Sequence, residues 1–149
     1  MNFQIKAFKH WQTEDGGGYQ FNLYLDGKKF AWVHNDGNGG CIDMNFADSD
    51  SNWKESPFKT IWENHVKSLG QWRSKWGAIN GSEFLDHDTD TAIGILVEEY
   101  EMSKHRKKGI LFKLLEDGEG DFRTISTHDM DVAVKQLDIT FGKGKYELI

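Results

Sequence analysis

The dipeptide Asp26-Gly27 sits between two segments of alternating apolar and polar residues, and that arrangement leaves the chain little choice there but a β-hairpin. Asp-Gly accepts the positive φ angles that a two-residue turn requires, so the flanking segments run antiparallel. Before the turn, Tyr19, Phe21, Leu23 and Leu25 share one face, with Gln20, Asn22 and Tyr24 on the other. After it, Phe30, Trp32 and His34 mark the return strand. Residues 3–11 alternate with the same period, and Gly16, Gly17 and Gly18 are expected to break that first strand. Ile42, Met44 and Phe46 fit a short further strand.

Helical spacing takes over beyond this meander. Ser56 suits an N-cap and Pro57 the first helical position. From Phe58 onward Trp62, His65, Leu69, Trp72 and Trp76 recur at intervals of four and three, which predicts one helix of about five turns stopping at Gly77, with Gly70 as a weak point. Residues 80–90 read as a polar connection. A second helix turns Ile93, Leu96, Val97 and Tyr100 inward and ends in a basic turn closed by Gly109. Residues 110–115 and 122–125 read as a hairpin. Thr127 is placed to cap a last helix with Met130, Val134, Leu137 and Phe141 inward.

Strands and helices thus come in separate runs. The expected fold is α+β, with an antiparallel sheet made of an N-terminal meander and a C-terminal hairpin, packed against two or three helices. The 149 residues are expected to form a single domain, and six Trp, ten Phe and four Tyr supply ample core material.

Charge and cysteine content narrow the function classes. Eighteen basic residues stand against 24 acidic, a net charge of −6, so the composition as a whole disfavours nucleic acid as a partner. The single cysteine, Cys41, excludes an internal disulfide. The first residues lack the apolar core of a signal peptide, and no apolar stretch approaches the ~20 residues that span a bilayer. The expected compartment is the cytoplasm, with no membrane partner.

Motifs for chemistry are sparse. Asp86, Asp88 and Asp90 have the opening spacing of a calcium loop, but Thr91 and Val97 stand where glycine and glutamate are needed, so helix capping by Asp88 or Asp90 is the expected role. Cys41 and His34 have no third group to orient them as a nucleophile and base. The glycine loop lacks the lysine and the following helix of a phosphate cradle. No catalytic residue, metal ligand or cofactor is assigned.

Two segments remain as candidate contact surfaces. The loop Asn35, Asp36, Gly37, Asn38, Gly39, Gly40 offers backbone and small polar groups that could hold an anion or a partner's main chain. Lys104, Arg106, Lys107 and Lys108, with Arg123 beyond them, form a local anion patch on an acidic chain.

Residues 21–41, through Asp26-Gly27 and the glycine loop, and residues 96–125, through Lys107, Lys108, Leu111 and Arg123, resemble a group of small proteins of bacteria, phages and mobile elements with no assigned activity. The resemblance implies a setting among accessory genes, where small acidic proteins act by binding. The first expectation is therefore a non-enzymatic binding protein that antagonises host defence by engaging a host protein or a nucleotide. A metal-dependent enzyme acting on nucleic acid or nucleotides, using Asp86, Asp88 and His87, is the second. A nucleic-acid-binding module is the third, and the composition favours it least.

Overall fold

The computed structural model describes residues 1–49, 55–73, 84–118 and 120–149. It is an α+β fold with antiparallel strands and three helices, as the separate runs of strands and helices predicted, but the N-terminal meander and the C-terminal hairpin belong to separate sheets and not to one. The chain divides into two compact units, Met1–Val97 and Glu98–Ile149.

In the first unit, β1 (Phe3–Thr13), β2 (Gly16–Leu25), β3 (Lys28–Asn35) and β4 (Asp43–Phe46) pair in sequence order as one antiparallel sheet. The β2–β3 turn holds Asp26 at φ 49° and Gly27 at φ 84°, the two positive angles the dipeptide foretold. Asp26 also fastens the start of β1, because its carboxylate accepts from Asn2 N at 2.9 Å.

Gly16, Gly17 and Gly18 do not break the sheet. They open β2 and pair with Thr13, Gln12 and Trp11 of β1. A strand tolerates such glycines where another group must come close to its backbone, and Trp11 does so here. A bulge in β3 sets the facing of the return strand. Leu23 pairs with Ala31 but Tyr24 with Lys29, so Phe30 is the extra residue. Phe30, Ala31 and Val33 are all buried, while Trp32 and His34 are only partly covered and lie on the opposite face to Val33.

Helix α1 (Pro57–Ser68) begins as predicted, with Ser56 Oγ accepting from Lys59 N at 3.0 Å. Asp48 adds a second cap, accepting from Phe58 N at 2.9 Å and from the Ser56 hydroxyl. The helix does not run on to Trp76. It ends at Ser68, where Gly70 adopts φ 70° and donates to the Lys67 carbonyl. A left-handed glycine just beyond the last turn terminates a helix, so Gly70 is a stop and not a weak point. Trp72 falls instead in β5 (Gln71–Arg73), which pairs with β6 (Phe84–Asp86) inside the segment expected to be a polar connection. Trp53, Trp76 and Gly77 lie outside the described residues.

The core of this unit joins Phe21, Leu23, Phe30, Ala31 and Val33 of the sheet to Trp62 and Val66 of α1 and to Ala92 and Ile93 of α2 (Thr89–Arg106). Each large side chain buried this fully contributes roughly 1.5–3 kcal/mol. His65 sits on the same helical stripe, with its ring 4.7 Å from Phe3 and 5.4 Å from Trp62. Burial there lowers its pKa below 6.5.

In the second unit, β7 (Ile110–Leu114) lies between β8 (Arg123–Ile125) and β9 (Tyr146–Leu148). The β7–β8 hairpin was predicted and the terminal strand β9 was not. α3 (Met130–Phe141) covers the sheet with Leu137 and Phe141, against Phe112, Leu114 and Tyr146. Asp129 caps it, accepting from Asp131 N at 3.0 Å and Val132 N at 3.3 Å. Thr127, expected to be the cap, stands two residues earlier and accepts from Asp129 N. Met130 is 49% exposed, because this cap turns it away from the buried face of Ala133 and Leu137. Gly109 follows α2 for a steric reason, since a methyl group there would lie 1.9 Å from the Ile125 carbonyl oxygen.

Candidate binding cleft beside the glycine loop

The glycine loop is built by its own side chains. Asn35 Oδ1 accepts from Gly37 N at 2.9 Å, and Asp36 Oδ1 accepts from Asn38 N at 2.8 Å. These are the short-range turns that asparagine and aspartate form readily. β1 holds the loop from below: Trp11 Nε1 donates to the Asp36 carbonyl at 3.2 Å and Thr13 Oγ1 to the Gly37 carbonyl at 2.6 Å. Gly37 is buried at φ 81°, and a methyl group on it would come within 2.6 Å of Gly18 N. Of the candidate contact residues, Asn35 and Asp36 therefore shape the loop, while Asn38, Gly39 and Gly40 are exposed.

The loop delivers Cys41, an exposed free thiol, to the mouth of a cleft of about 460 Å³. Ile42 just before β4, Met44 and Phe46 of β4 and Trp62 of α1 form its apolar walls. Lys59 and Glu63, one helical turn apart on α1 with charged groups 4.0 Å apart, stand on its rim. The start of α2 closes the remaining side with Asp88, Thr89 and Asp90. The volume falls within the ~300–1,000 Å³ of small-molecule and side-chain pockets.

The polar groups around this cleft are already engaged within the protein. Asp88 caps α2, as the sequence suggested: its Oδ1 accepts from Thr91 N at 2.8 Å, and its own N–H donates to Thr91 Oγ1 at 2.9 Å. The hydrogen bond from the Thr91 backbone holds the Asp88 carboxyl below its ordinary pKa. Asp90 Oδ1 accepts from Ile42 N at 3.2 Å, tying the entry to β4 to α2. Trp62 Nε1 donates to Thr89 Oγ1 at 3.1 Å. Asp86 accepts from the Gln71 side chain at 3.2 Å. Among the described residues, no three His, Cys, Asp or Glu side chains converge as metal ligands.

The basic candidates belong to the other unit. Lys104 lies 3.7 Å from Glu101 and 4.4 Å from the Tyr100 ring centroid. Arg106, Lys107 and Lys108 are exposed at the end of α2, where the Arg106 carbonyl lies 3.2 Å from His128 Nε2. Arg123 is held by Asp117, donating from Nε at 3.1 Å and Nη2 at 2.9 Å, and this pairing keeps the Asp117 carboxyl below its ordinary pKa. Asp117 in turn accepts from Leu114 N at 2.8 Å, so Arg123 braces the turn after β7.

The cleft was not visible from the sequence, because its walls come from segments up to 49 positions apart, from Cys41 to Asp90. The Lys59 and Glu63 pair at helical spacing was the nearest local sign. No described helix is long and apolar enough to cross a membrane. Compared with known family models, curated proteins and solved structures, the chain matches none.

Proposed function

We propose that this protein is a non-enzymatic binding protein of the cytoplasm, encoded by a phage or mobile element, that engages a host protein or a nucleotide through the cleft beside Cys41. One observation carries the reading: an apolar cleft with a charged rim lies directly beside the exposed backbone of Gly39 and Gly40. An apolar anchor from the partner fits Ile42, Met44 and Phe46, and the Gly39-Gly40 segment offers main-chain hydrogen bonds at its edge. Asp88 is engaged as a helix cap, Asp90 by Ile42 N and Asp86 by Gln71, which supports a binding role over metal-assisted chemistry.

The test is a pull-down from bacterial lysate with the wild-type chain and with Met44→Glu, reading bound proteins and nucleotides together. A stoichiometric species held by the wild type and lost from a folded Met44→Glu supports the cleft. A species retained equally by both removes it. A metal-dependent rise in melting temperature that disappears in Asp86→Ala would revive the enzymatic reading.

A further inference from the structure

The face of the four-stranded sheet turned away from α1 has a chemistry unlike the chain as a whole. Pairing register places Lys6, Asn22, Trp32 and Asn45 in one row across the strands. The next row holds Lys9, Gln20, His34 and Asp43. Tyr24 stands on the other side of the first row, between Gln4 and Lys29. None of these side chains is buried.

Its rings are ordered. Trp32 and His34 stack with centroids 5.2 Å apart and 14° between planes, and Trp11 continues the series 5.7 Å from His34. Trp11 reaches across because Gly18 beneath it has no side chain; a methyl group there would lie 2.3 Å from the indole nitrogen. Lys6 and Lys9 stand on β1, Gln20 and Asn22 on β2, and Trp32 and His34 on β3, with Trp11 reaching in from β1 and Asn45 standing on β4. β1 and β3 are two strand spacings apart, about 10 Å. Among the described residues in these rows, Lys6, Lys9 and Lys29 stand against Asp43 alone, so the face is locally positive on a chain of net charge −6.

We infer that this face binds single-stranded nucleic acid, going beyond the cleft and independent of it. Unpaired bases extend the Trp11, His34 and Trp32 stack, the amides of Gln20, Asn22 and Asn45 meet base edges, and Lys6 and Lys9 take the phosphates. Charge complementarity decides the occupant. A neutral glycan would match the rings and amides and leave the lysines idle, and an acidic peptide would match the lysines alone.

The experiment uses fluorescence anisotropy of short fluorescein-labelled oligo(rU) and oligo(dT) with the full chain, across a range of salt. Binding at low salt is expected, weakening as salt rises. Trp32→Ala should weaken it about tenfold, as loss of one base stack predicts. Combined Lys6→Glu and Lys9→Glu should flatten the salt slope by about 0.7 for each phosphate that is no longer neutralised. The two lysines are exposed, so this variant decides the matter even where Trp32→Ala unfolds. Met44→Glu in the cleft should leave this binding unchanged. Absence of binding at low salt, equal binding by the lysine variant, or displacement of the strand by a neutral oligosaccharide or poly-glutamate at matched concentration would each overturn the inference.

Discussion

The indole of Trp11 lies so close over Gly18 that a methyl group on Gly18 would meet its Nε1 at 2.3 Å and the Asp36 carbonyl oxygen at 2.8 Å. Gly37 comes as close to the same strand, where a methyl group on it would lie 2.6 Å from Gly18 N. Two glycines far apart in sequence thus let β1, β2 and the 35–41 loop share one small volume, and the loop's shape depends on both.

Replacing these glycines by alanine should separate crowding from backbone strain. Gly37→Ala meets both and should destabilise the first unit by about 2–4 kcal/mol. Gly39→Ala has φ 82° but open space, and should cost about 1–2 kcal/mol. Urea denaturation followed by tryptophan fluorescence checks this, since all six tryptophans lie in Met1–Val97. Equal costs at the two sites would remove the role of the close approach to Gly18.

Capping by Asp88 gives a second expectation. Asp88→Ala loses the bond to Thr91 N and should destabilise the same unit by about 1 kcal/mol, whereas Asp88→Asn keeps an acceptor and should cost less. The same denaturation experiment distinguishes them. Equal losses would mean that charge, not the hydrogen bond, matters at this helix end.

His65 predicts a pH dependence. Burial against Phe3 and Trp62 lowers its pKa below 6.5, so below that value the unfolded chain takes up a proton that the folded chain resists. Its contribution is intact above about pH 6.5 and is lost as pH falls through the lowered folded pKa. Denaturation midpoints of His65→Leu should fall less steeply than wild type across that window. The Asp88 contribution is lost only at lower pH, below the ordinary aspartate value of 3.8, so the two are separable.

Arg123 and Asp117 should behave as a coupled pair in the second unit. Asp117 is the better covered, with an 11% exposed side chain, and it holds both Arg123 and the Leu114 N–H. Arg123→Ala and Asp117→Ala are expected to be non-additive in a double-mutant cycle, and Asp117→Ala to be the more damaging. Additive effects, read by far-UV circular dichroism during thermal unfolding, would show that the pair is not coupled. Binding tests of the basic patch are better aimed at Lys107 and Lys108, whose replacement leaves this brace intact.

Cys41 should be fully reactive towards a thiol reagent in the native protein, being exposed at the cleft mouth. A bulky maleimide adduct should block whatever the cleft holds and leave oligonucleotide binding at the opposite sheet face untouched. Simultaneous loss of both would mean that the two surfaces are not independent.

Local chemistry carried much of the fold. Asp26-Gly27 forces its turn through two positive φ angles, Ser56-Pro57 starts α1, and the periods of two and about four residues assign most strands and helices. These depend only on neighbours within a few positions, so the order of residues states them directly. Tertiary contacts decided the rest. Trp72 fitted a helical stripe, but Gly70 in its left-handed conformation ended α1 and Trp72 entered a strand paired with Phe84–Asp86. The bulge at Phe30 let Phe30 join Ala31 and Val33 in the core and parted it from Trp32 and His34, with which strict alternation in β3 had grouped it. The cleft exists because Cys41, Trp62 and Thr89 meet, and the lysine, amide and ring rows exist because four strands lie in one register. Burial and cross-strand pairing depend on groups distant in sequence, and that is why both surfaces are properties of the folded chain and not of any one segment.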